Sequence, residues 1–352
     1  MTSMLYGVTG YTGDLVAREA VRRGMRPILA GRSAAAVTAL ASELGCEARA
    51  FALDDPEAVR AGLEGVGAVL HCAGPFVRTS RPMVEACLAR GASYLDITGE
   101  LSVFERVLRQ KEKARAAGVA LMPGVGFDVV PSDCLAATLA AALPDATHLD
   151  LAFWSQGGSW SKGTVQTMIE SLPAAGAVRR NGEIVPVGLA HATMELDFPF
   201  GRRRLMTIPW GDVATAFHTT GIPNIRVFGA GPKRPGMLKL AQPFLPLLAL
   251  GPIKRALQAR VRRTVTGPTA EARSTARVYL WGRVRNAAGR AMVARLETPE
   301  AYAYTATTAI ESLLRVERGE VEPGAWTPAR AFGAGYAASF AGVVAEAPRP
   351  ES

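Results

Sequence analysis

The sequence predicts an α/β protein: a Rossmann-type, doubly wound parallel sheet followed by a second, mixed domain and a helical C-terminal stretch. Three observations predict it. Short apolar runs alternate with helical stretches of about 10–15 residues through the first half, which implies right-handed βαβ crossovers and a parallel sheet. A glycine-spaced loop, Gly7-Val-Thr-Gly10-Tyr-Thr-Gly13, lies between the first run and the first helix. Beyond about residue 146, strand-like runs are separated by glycine- and proline-rich turns, the pattern of a largely antiparallel domain. The expected domains are 1–145, 146–298 and 299–352.

Each element has its own signal. Met4–Val8 is an apolar strand, followed by a helix from about Gly13 to Gly24. Pro27–Ala30 is the second strand, Ser33 can N-cap the next helix, and Gly45 is a left-handed C-cap residue. Arg49–Leu53 is strand three, and Asp55-Pro56 places an N-cap before proline at the first helical position. Val66–Cys72 is strand four, a helix from about Ser80 ends at Gly91, and Tyr94–Ile97 is strand five. Leu101, Phe104 and Leu108 line one helical face, and Val119–Met122 is strand six. The expected sheet order is 3-2-1-4-5-6. In the second half, Thr147–Trp154, Leu205–Trp210, Ser274–Val284 and Ala291–Glu297 read as strands, the last two joined by a hairpin loop at Asn286-Ala-Ala-Gly289. Helix is expected from Pro299 to about Leu314 and again near Ala329–Ala345.

Composition excludes several classes. With 352 residues, 49% hydrophobic and 20% charged, the chain is globular and long enough for two domains. Its four cysteines form no CxxC and no cluster with histidine, so neither a disulfide framework, a zinc site nor any other metal site is expected, and a reducing cytoplasm fits. An apolar strand begins at Met4 with no basic leader ahead of it, so no signal peptide is expected. The net charge is +9, yet only six of the 40 basic residues are lysine, and no nucleic-acid motif accompanies them.

The glycine loop carries the chemistry. Glycine lets backbone approach a pyrophosphate, and the amides and dipole of a helix N-terminus stabilise its charge. Gly7, Thr9, Gly10, Tyr11, Thr12 and Gly13 are therefore candidate cofactor residues. At the end of strand two an NAD enzyme usually has an acid for the ribose 2′-hydroxyl. This chain has Gly31-Arg32-Ser33, where Arg32 can fork onto a 2′-phosphate and Ser33 can donate a hydroxyl, so NADP(H) is the expected cofactor. Asp54, closing strand three, contacts the adenine or caps the next helix. Ala73, Gly74, Pro75 and Phe76 close strand four at the nicotinamide side of the crevice, whereas His71 and Cys72 finish a buried strand.

Together these motifs resemble the saccharopine dehydrogenase-like oxidoreductases, in particular the bacterial trans-acting enoyl reductase branch. The carrying segments are GVTGYTG at 7–13, AGRS at 30–33, CAGPF at 72–76, YLDITGE at 94–100 and PGVGFDVVPSD at 123–133. Looser likeness continues through PWGDVATAFHTTGIPNI at 209–225, GPTAEAR at 267–273 and TPARAFG at 327–333. The resemblance implies a Rossmann-type NADP-binding domain (1–145), a mixed α/β substrate and dimerisation domain (146–298), C-terminal helices (299–352) that pack back on the first domain, and hydride transfer to a polarised double bond. In the enoyl reductase branch the acceptor is C=C of a lipid or polyketide-type chain; in the saccharopine branch it is C=N.

Hydride addition also requires a proton donor. None of the seven tyrosines has lysine four residues on, so the Tyr-x-x-x-Lys device of short-chain dehydrogenases is excluded. Polar residues beyond strands five and six include Asp96, Thr98, Glu100 and Asp128; of these, Glu100 and Asp128 are the candidate acid/base or substrate-orienting groups. The alternative for each is helix capping or a salt bridge between domains. Lys162, in Ser161-Lys-Gly-Thr164, reaches substrate or lies in a surface loop, and Tyr302 and Tyr304 read as core.

Met237–Leu250 is apolar but broken by Pro243 and Pro246, and Lys254, Arg255, Arg260, Arg262 and Arg263 follow. Too short to span a bilayer, it reads as a lid over an apolar channel, a peripheral membrane contact through 237–263, or a domain- or dimer-packing element. Three functions remain open: an NADPH-dependent enoyl-type reductase of a hydrophobic small molecule, an imine or amino-acid-type dehydrogenase, and a non-catalytic NADP-sensing or scaffold protein. A homodimer is compatible with each.

Overall fold

The computed structural model describes residues 2–157, 159–171, 176–231 and 251–351. The chain divides into two compact units, Met1–Val130 with Tyr302–Ala331, and Pro131–Ala301 with Phe332–Ser352.

The first unit is built on a seven-stranded parallel sheet. Its strands are β1 (Ser3–Tyr6), β2 (Ile28–Gly31), β3 (Ala48–Ala50), β4 (Ala68–His71), β5 (Ser93–Asp96) and β6 (Ala120–Met122), in the order 3-2-1-4-5-6, with a two-residue strand Gly324–Ala325 added beside β6. β1, β2, β4 and β5 are buried throughout, because helices cover both faces and a parallel sheet so placed needs near-continuous apolar runs. Helices α1 (Tyr11–Arg22), α2 (Ala34–Leu44), α3 (Pro56–Gly62) and α4 (Phe76–Arg90) follow β1 to β4 in turn, and α5 (Leu101–Leu108) and α6 (Lys111–Ala116) both lie between β5 and β6. Their ends follow local rules. Gly45 and Gly91 close α2 and α4 at φ 64° and 67°. Asp55 caps α3 by accepting from Glu57 N and Ala58 N (3.0 and 3.1 Å), with Pro56 in the first turn. Ser33 stands at the N-cap of α2, but its side chain makes no capping bond.

The helix Ala301–Glu317 belongs with this unit from Tyr302 onward. Tyr302 and Tyr304 are buried, and Tyr302 meets Tyr11 edge-on at 5.0 Å. Thr305 Oγ1 accepts from Phe127 N (2.9 Å) and Thr308 Oγ1 donates to Val125 O (2.9 Å), so this helix braces the loop after β6. Arg23 bridges to Glu311 at 2.8 Å.

The second unit holds a ten-stranded mixed sheet. β7 (Ala146–Gln156), β8 (Gly176–Arg180), β9 (Glu183–Val187), β10 (Thr193–Phe198), β11 (Gly201–Thr207), β12 (Asn224–Ala230), β13 (Arg277–Asn286) and β14 (Ala291–Pro299) form most of it, in the order 10-11-12-7-13-14. β12 runs parallel to β7, the other pairs along this order are antiparallel, and β13 and β14 form the expected hairpin. A Cβ on Gly282 of β13 would lie 2.5 Å from Leu139 Cδ1, which shows the helix Val130–Ala142 packed directly on this sheet.

Three sequence expectations are corrected here. The first boundary falls at Val130 rather than 145, because the helix Val130–Ala142 buries its leucines on the second sheet. Residues 332–352 do not return to the first unit: Val344–Ala345 and Arg349–Pro350 pair with β14. The helix expected near Ala329–Ala345 is reduced to Pro328–Phe332 and a 3-10 turn at Ala337–Ser339, since Gly333 and Gly342 adopt φ 87° and 79° and break the run. Residues 237–250 lie outside the described residues; the helix Gly251–Thr264 after them exposes Arg255, Arg260 and Arg263. No described helix is long and apolar enough to cross a membrane.

Candidate functional site

The three glycines of the first loop have three different tasks. Gly7 leaves β1 at φ 91°, and a Cβ there would lie 2.7 Å from Ala73 N, so this glycine lets the loop touch the chain leaving β4. A Cβ on Gly13 would stand 2.2 Å from Gly7 O; this glycine lets α1 press onto the loop behind it. Gly10 is exposed at the N-cap of α1, and a Cβ there would meet only Gly7 O, at 3.3 Å. Two glycines thus shape the loop, and the third keeps its outer surface bare. No side chain caps α1, so its N-terminal end is open to an anion. Thr9 is exposed beside Gly10, while Tyr11 and Thr12 are half-buried in the first turn.

At the end of β2, Arg32 and Ser33 are both exposed, and neither side chain bonds to another described residue. Asp54 is exposed too; the helix after it is capped by Asp55, so capping does not occupy Asp54. Tyr6, buried at the end of β1, donates to Phe51 O at 2.9 Å. Burial pushes its phenol up to about 12, with the Arg32 charge pulling it down and the Asp54 charge pushing it further up. Arg32 and Asp54 therefore flank the same strand end as the glycine loop.

Ala73, Gly74 and Pro75 form the turn between β4 and α4, with a cis Gly74–Pro75 bond, and Phe76 opens the helix. His71 is fully buried and pushed down to about 3 by desolvation, with Nε2 3.0 Å from Thr79 Oγ1. Thr79 in turn donates to Ala73 O at 2.6 Å, so it accepts from His71. Burial pushes the Cys72 thiol up to about 12. Both side chains are inert at neutral pH, as expected of a strand end.

The acids beyond β5 and β6 divide sharply. Both Glu100 oxygens are engaged: Phe76 N donates to Oε1 at 2.7 Å and Val77 N to Oε2 at 2.6 Å. Glu100 is thus the cap of α4, reached from the loop after β5. Burial raises its pKa and the two amide bonds draw it back. Asp96, the last residue of β5, is fully buried. Its Oδ1 accepts from Thr98 N (3.0 Å) and Gly124 N (2.9 Å), and its Oδ2 accepts from Tyr94 Oη (2.7 Å). Burial nevertheless pushes it up to about 6.

Asp128 differs from both. Its Oδ1 is buried with no hydrogen-bond partner, and desolvation pushes the carboxyl up to about 7. A Cβ on Gly99 would lie 2.7 Å from its Oδ2, so the turn after β5 is in contact with it. The cation whose charge reaches Asp96 and Glu100 is Arg106, itself bonded to Ser80 Oγ at 2.5 Å.

Sequence reasoning named Glu100 and Asp128 together; the structure separates a fully bonded cap from an unpaired acid. It missed the central place of Asp96, whose only sequence signal is an acid ending an apolar strand. Lys162 starts the helix Lys162–Ser171 in the second unit, exposed, with Ser161 Oγ accepting from Thr164 N (3.2 Å) as its cap.

Comparison with known proteins bears on this arrangement. Residues 4–122 match the family model of the saccharopine dehydrogenase NADP binding domain. A Mycobacterium tuberculosis protein provisionally named a trans-acting enoyl reductase is 27% identical over 397 residues, covering 94% of this chain and 93% of its own. A trans-acting enoyl reductase of Mycobacterium bovis is 32% identical over 186 residues, 49% of this chain and 44% of that protein. Among solved structures, the apo saccharopine dehydrogenase (L-Glu forming) of Saccharomyces cerevisiae has the same fold, with TM-score 0.67 and 12% identity over the whole of both chains.

Proposed function

We propose that this chain, whose residues 4–122 match the saccharopine dehydrogenase NADP binding domain, is an NADP(H)-dependent oxidoreductase that reduces an enoyl-type carbon–carbon double bond of a hydrophobic acyl substrate, with Asp128 as proton donor. Bound NADPH supplies the hydride. In this reading the pyrophosphate lies on Thr9, Gly10, Tyr11, Thr12 and the open end of α1, within the loop that Gly7 and Gly13 shape. The 2′-phosphate would be held by Arg32 and Ser33, whose side chains are exposed and bonded to no other described residue. Asp54 faces the adenosine, and Ala73, Gly74, Pro75 and Phe76 border the nicotinamide.

The observation that carries the proposal is the unpaired, neutralised Asp128. A carboxyl titrating near 7 holds a proton at neutral pH and can release it in a transition state. When hydride adds to one carbon of the double bond, the Asp128 O–H bond breaks and a C–H bond forms at the neighbouring carbon. The carboxylate left behind recovers its proton from solvent.

The names of the mycobacterial relatives support C=C over C=N. So does the charge of the cluster. Asp96, Glu100 and Asp128 with Arg106 are the reverse of what a substrate with two carboxylates requires, namely paired arginines. The test is NADPH consumption, followed by absorbance, with 2-enoyl thioesters of increasing chain length and with an amino acid plus 2-oxo acid pair. Oxidation with the thioesters, improving with chain length, is expected. Turnover with the amino acid pair alone, or NADPH binding with no turnover on either, overturns it.

A further inference from the structure

The structure assigns Asp96 as a positioning residue that seats Asp128 by holding the Thr98 and Gly124 amides. This rests on the reading of Asp128 as proton donor and adds to it the reason the donor is built this way.

Two loops meet at Asp128, and Asp96 is bonded to both. Its Oδ1 takes Thr98 N in the turn after β5 and Gly124 N in the loop after β6, while its own carbonyl accepts from Val125 N at 2.8 Å. Tyr94 Oη fixes the other carboxyl oxygen from within the same strand. From the first loop, Gly99 lies against the Asp128 carboxyl with no room for a methyl group between them. In the second, Val129 N donates to Gly124 O (3.0 Å), which closes the turn around Asp128.

The bonding also explains why Asp128 stays unpaired. Amides of the two loops that meet at Asp128 already have acceptors. Thr98 N and Gly124 N are held by Asp96, Glu100 N by Thr98 Oγ1 (3.1 Å), and Glu100 itself is spent on α4. A carboxylate accepting two or three amides is stabilised as the anion; one denied them keeps its proton. The charged and titratable groups around Asp96 are Tyr94, Cys72, Glu100 and Arg106, while burial alone acts on Asp128. Asp96 therefore acts on Asp128 by occupying two loop amides, Thr98 N and Gly124 N, that are then not offered to a second carboxylate.

The test is a carboxyl titration of the cofactor-free protein by 13C NMR with labelled aspartate, with Asp128→Asn assigning the resonance. The same variants are then assayed for kcat and KM with NADPH and a medium-chain 2-enoyl thioester. In the unmodified protein Asp128 titrates near 7. Asp96→Ala frees both amides and lowers that midpoint by about one unit or more. It also lowers kcat roughly tenfold or more, moves the basic limb of the kcat profile to lower pH, and leaves NADPH affinity unchanged. Asp96→Asn, which keeps an amide oxygen for the two N–H groups, recovers part of each loss. Gly99→Ala, which forces the Asp128 carboxyl from its seat, moves the midpoint in the same direction and decides the matter should Asp96→Ala fail to fold. An unmoved midpoint in Gly99→Ala and in folded Asp96→Ala overturns the inference, as does an Asp96→Asn that loses as much as Asp96→Ala. Full activity in Asp128→Asn instead overturns the proton-donor reading, whatever Asp96 does.

Discussion

Two ends of the same parallel sheet treat polar groups in opposite ways. At the glycine loop and the end of β2, no side chain caps α1, and Arg32 and Ser33 stand exposed with no side-chain partner among the described residues. Around the ends of β5 and β6, Asp96 and Glu100 are buried and Asp128 half-buried; Glu100 spends both oxygens on backbone amides, and Asp96 one on amides and one on the Tyr94 hydroxyl. Asp128 alone of the three keeps a buried oxygen without a bond. The first region fits a ligand that brings its own charges, the phosphates. The second fits chemistry in which a proton must be kept until it is needed. A bare polar group in solvent costs little; a bare one in the interior costs a few kcal/mol and calls for a use.

Substitutions separate the two ends. The largest effect on binding is expected from Gly10→Val. A branched side chain would cover the outer surface of the loop, and NADPH affinity should fall by roughly a hundredfold or more while the thermal transition is retained. Calorimetry showing undiminished affinity would reduce the loop to a tight turn. Next is Arg32→Asp. Losing a charge-assisted phosphate contact costs about 1.5–3 kcal/mol, or one to two decades in NADPH affinity, with NADH little changed. Equal affinity of the unmodified protein for both cofactors would remove Arg32 from the site.

A smaller effect belongs to the second region. Glu100→Ala leaves two amides of α4 without their acceptor and should cost about 1–2 kcal/mol in stability, read by denaturant unfolding. The same region makes stability depend on pH through Asp128. Because its folded pKa is raised, the unfolded chain ionises first, and stability is lost as pH rises from about 4 through 7. Asp128→Asn should therefore have a higher Tm than the unmodified protein at pH 8 and a similar one at about pH 3, below the ordinary carboxylate range.

The difference between the regions also decides what could be read from the sequence. The glycine loop, the caps at Gly45, Asp55 and Gly91, and the sheet order are local or periodic, and each lay within a few residues of its signal. The strand Gly324–Ala325 has too few residues for any pattern and exists through its register with Ala120 and Leu121. The cap of α4 comes from Glu100, 24 residues beyond the amide it accepts from, a distance no capping rule scans. Ser33 has the right residue type at an N-cap and does not cap. Glu100 and Asp128 looked alike as acids after strands. What distinguishes them is which amides Asp96 and Thr98 had already taken, and that is settled only by folding.

The most direct measurement is the pH profile of kcat with a medium-chain 2-enoyl thioester, for the unmodified protein and for Asp128→Asn. A neutral Asp128 donating the proton gives a plateau at low pH and a fall through about 7. The Asn variant should be slower by roughly a hundredfold or more and should lose that limb. A variant with the same rate and the same limb would mean that the proton comes from elsewhere.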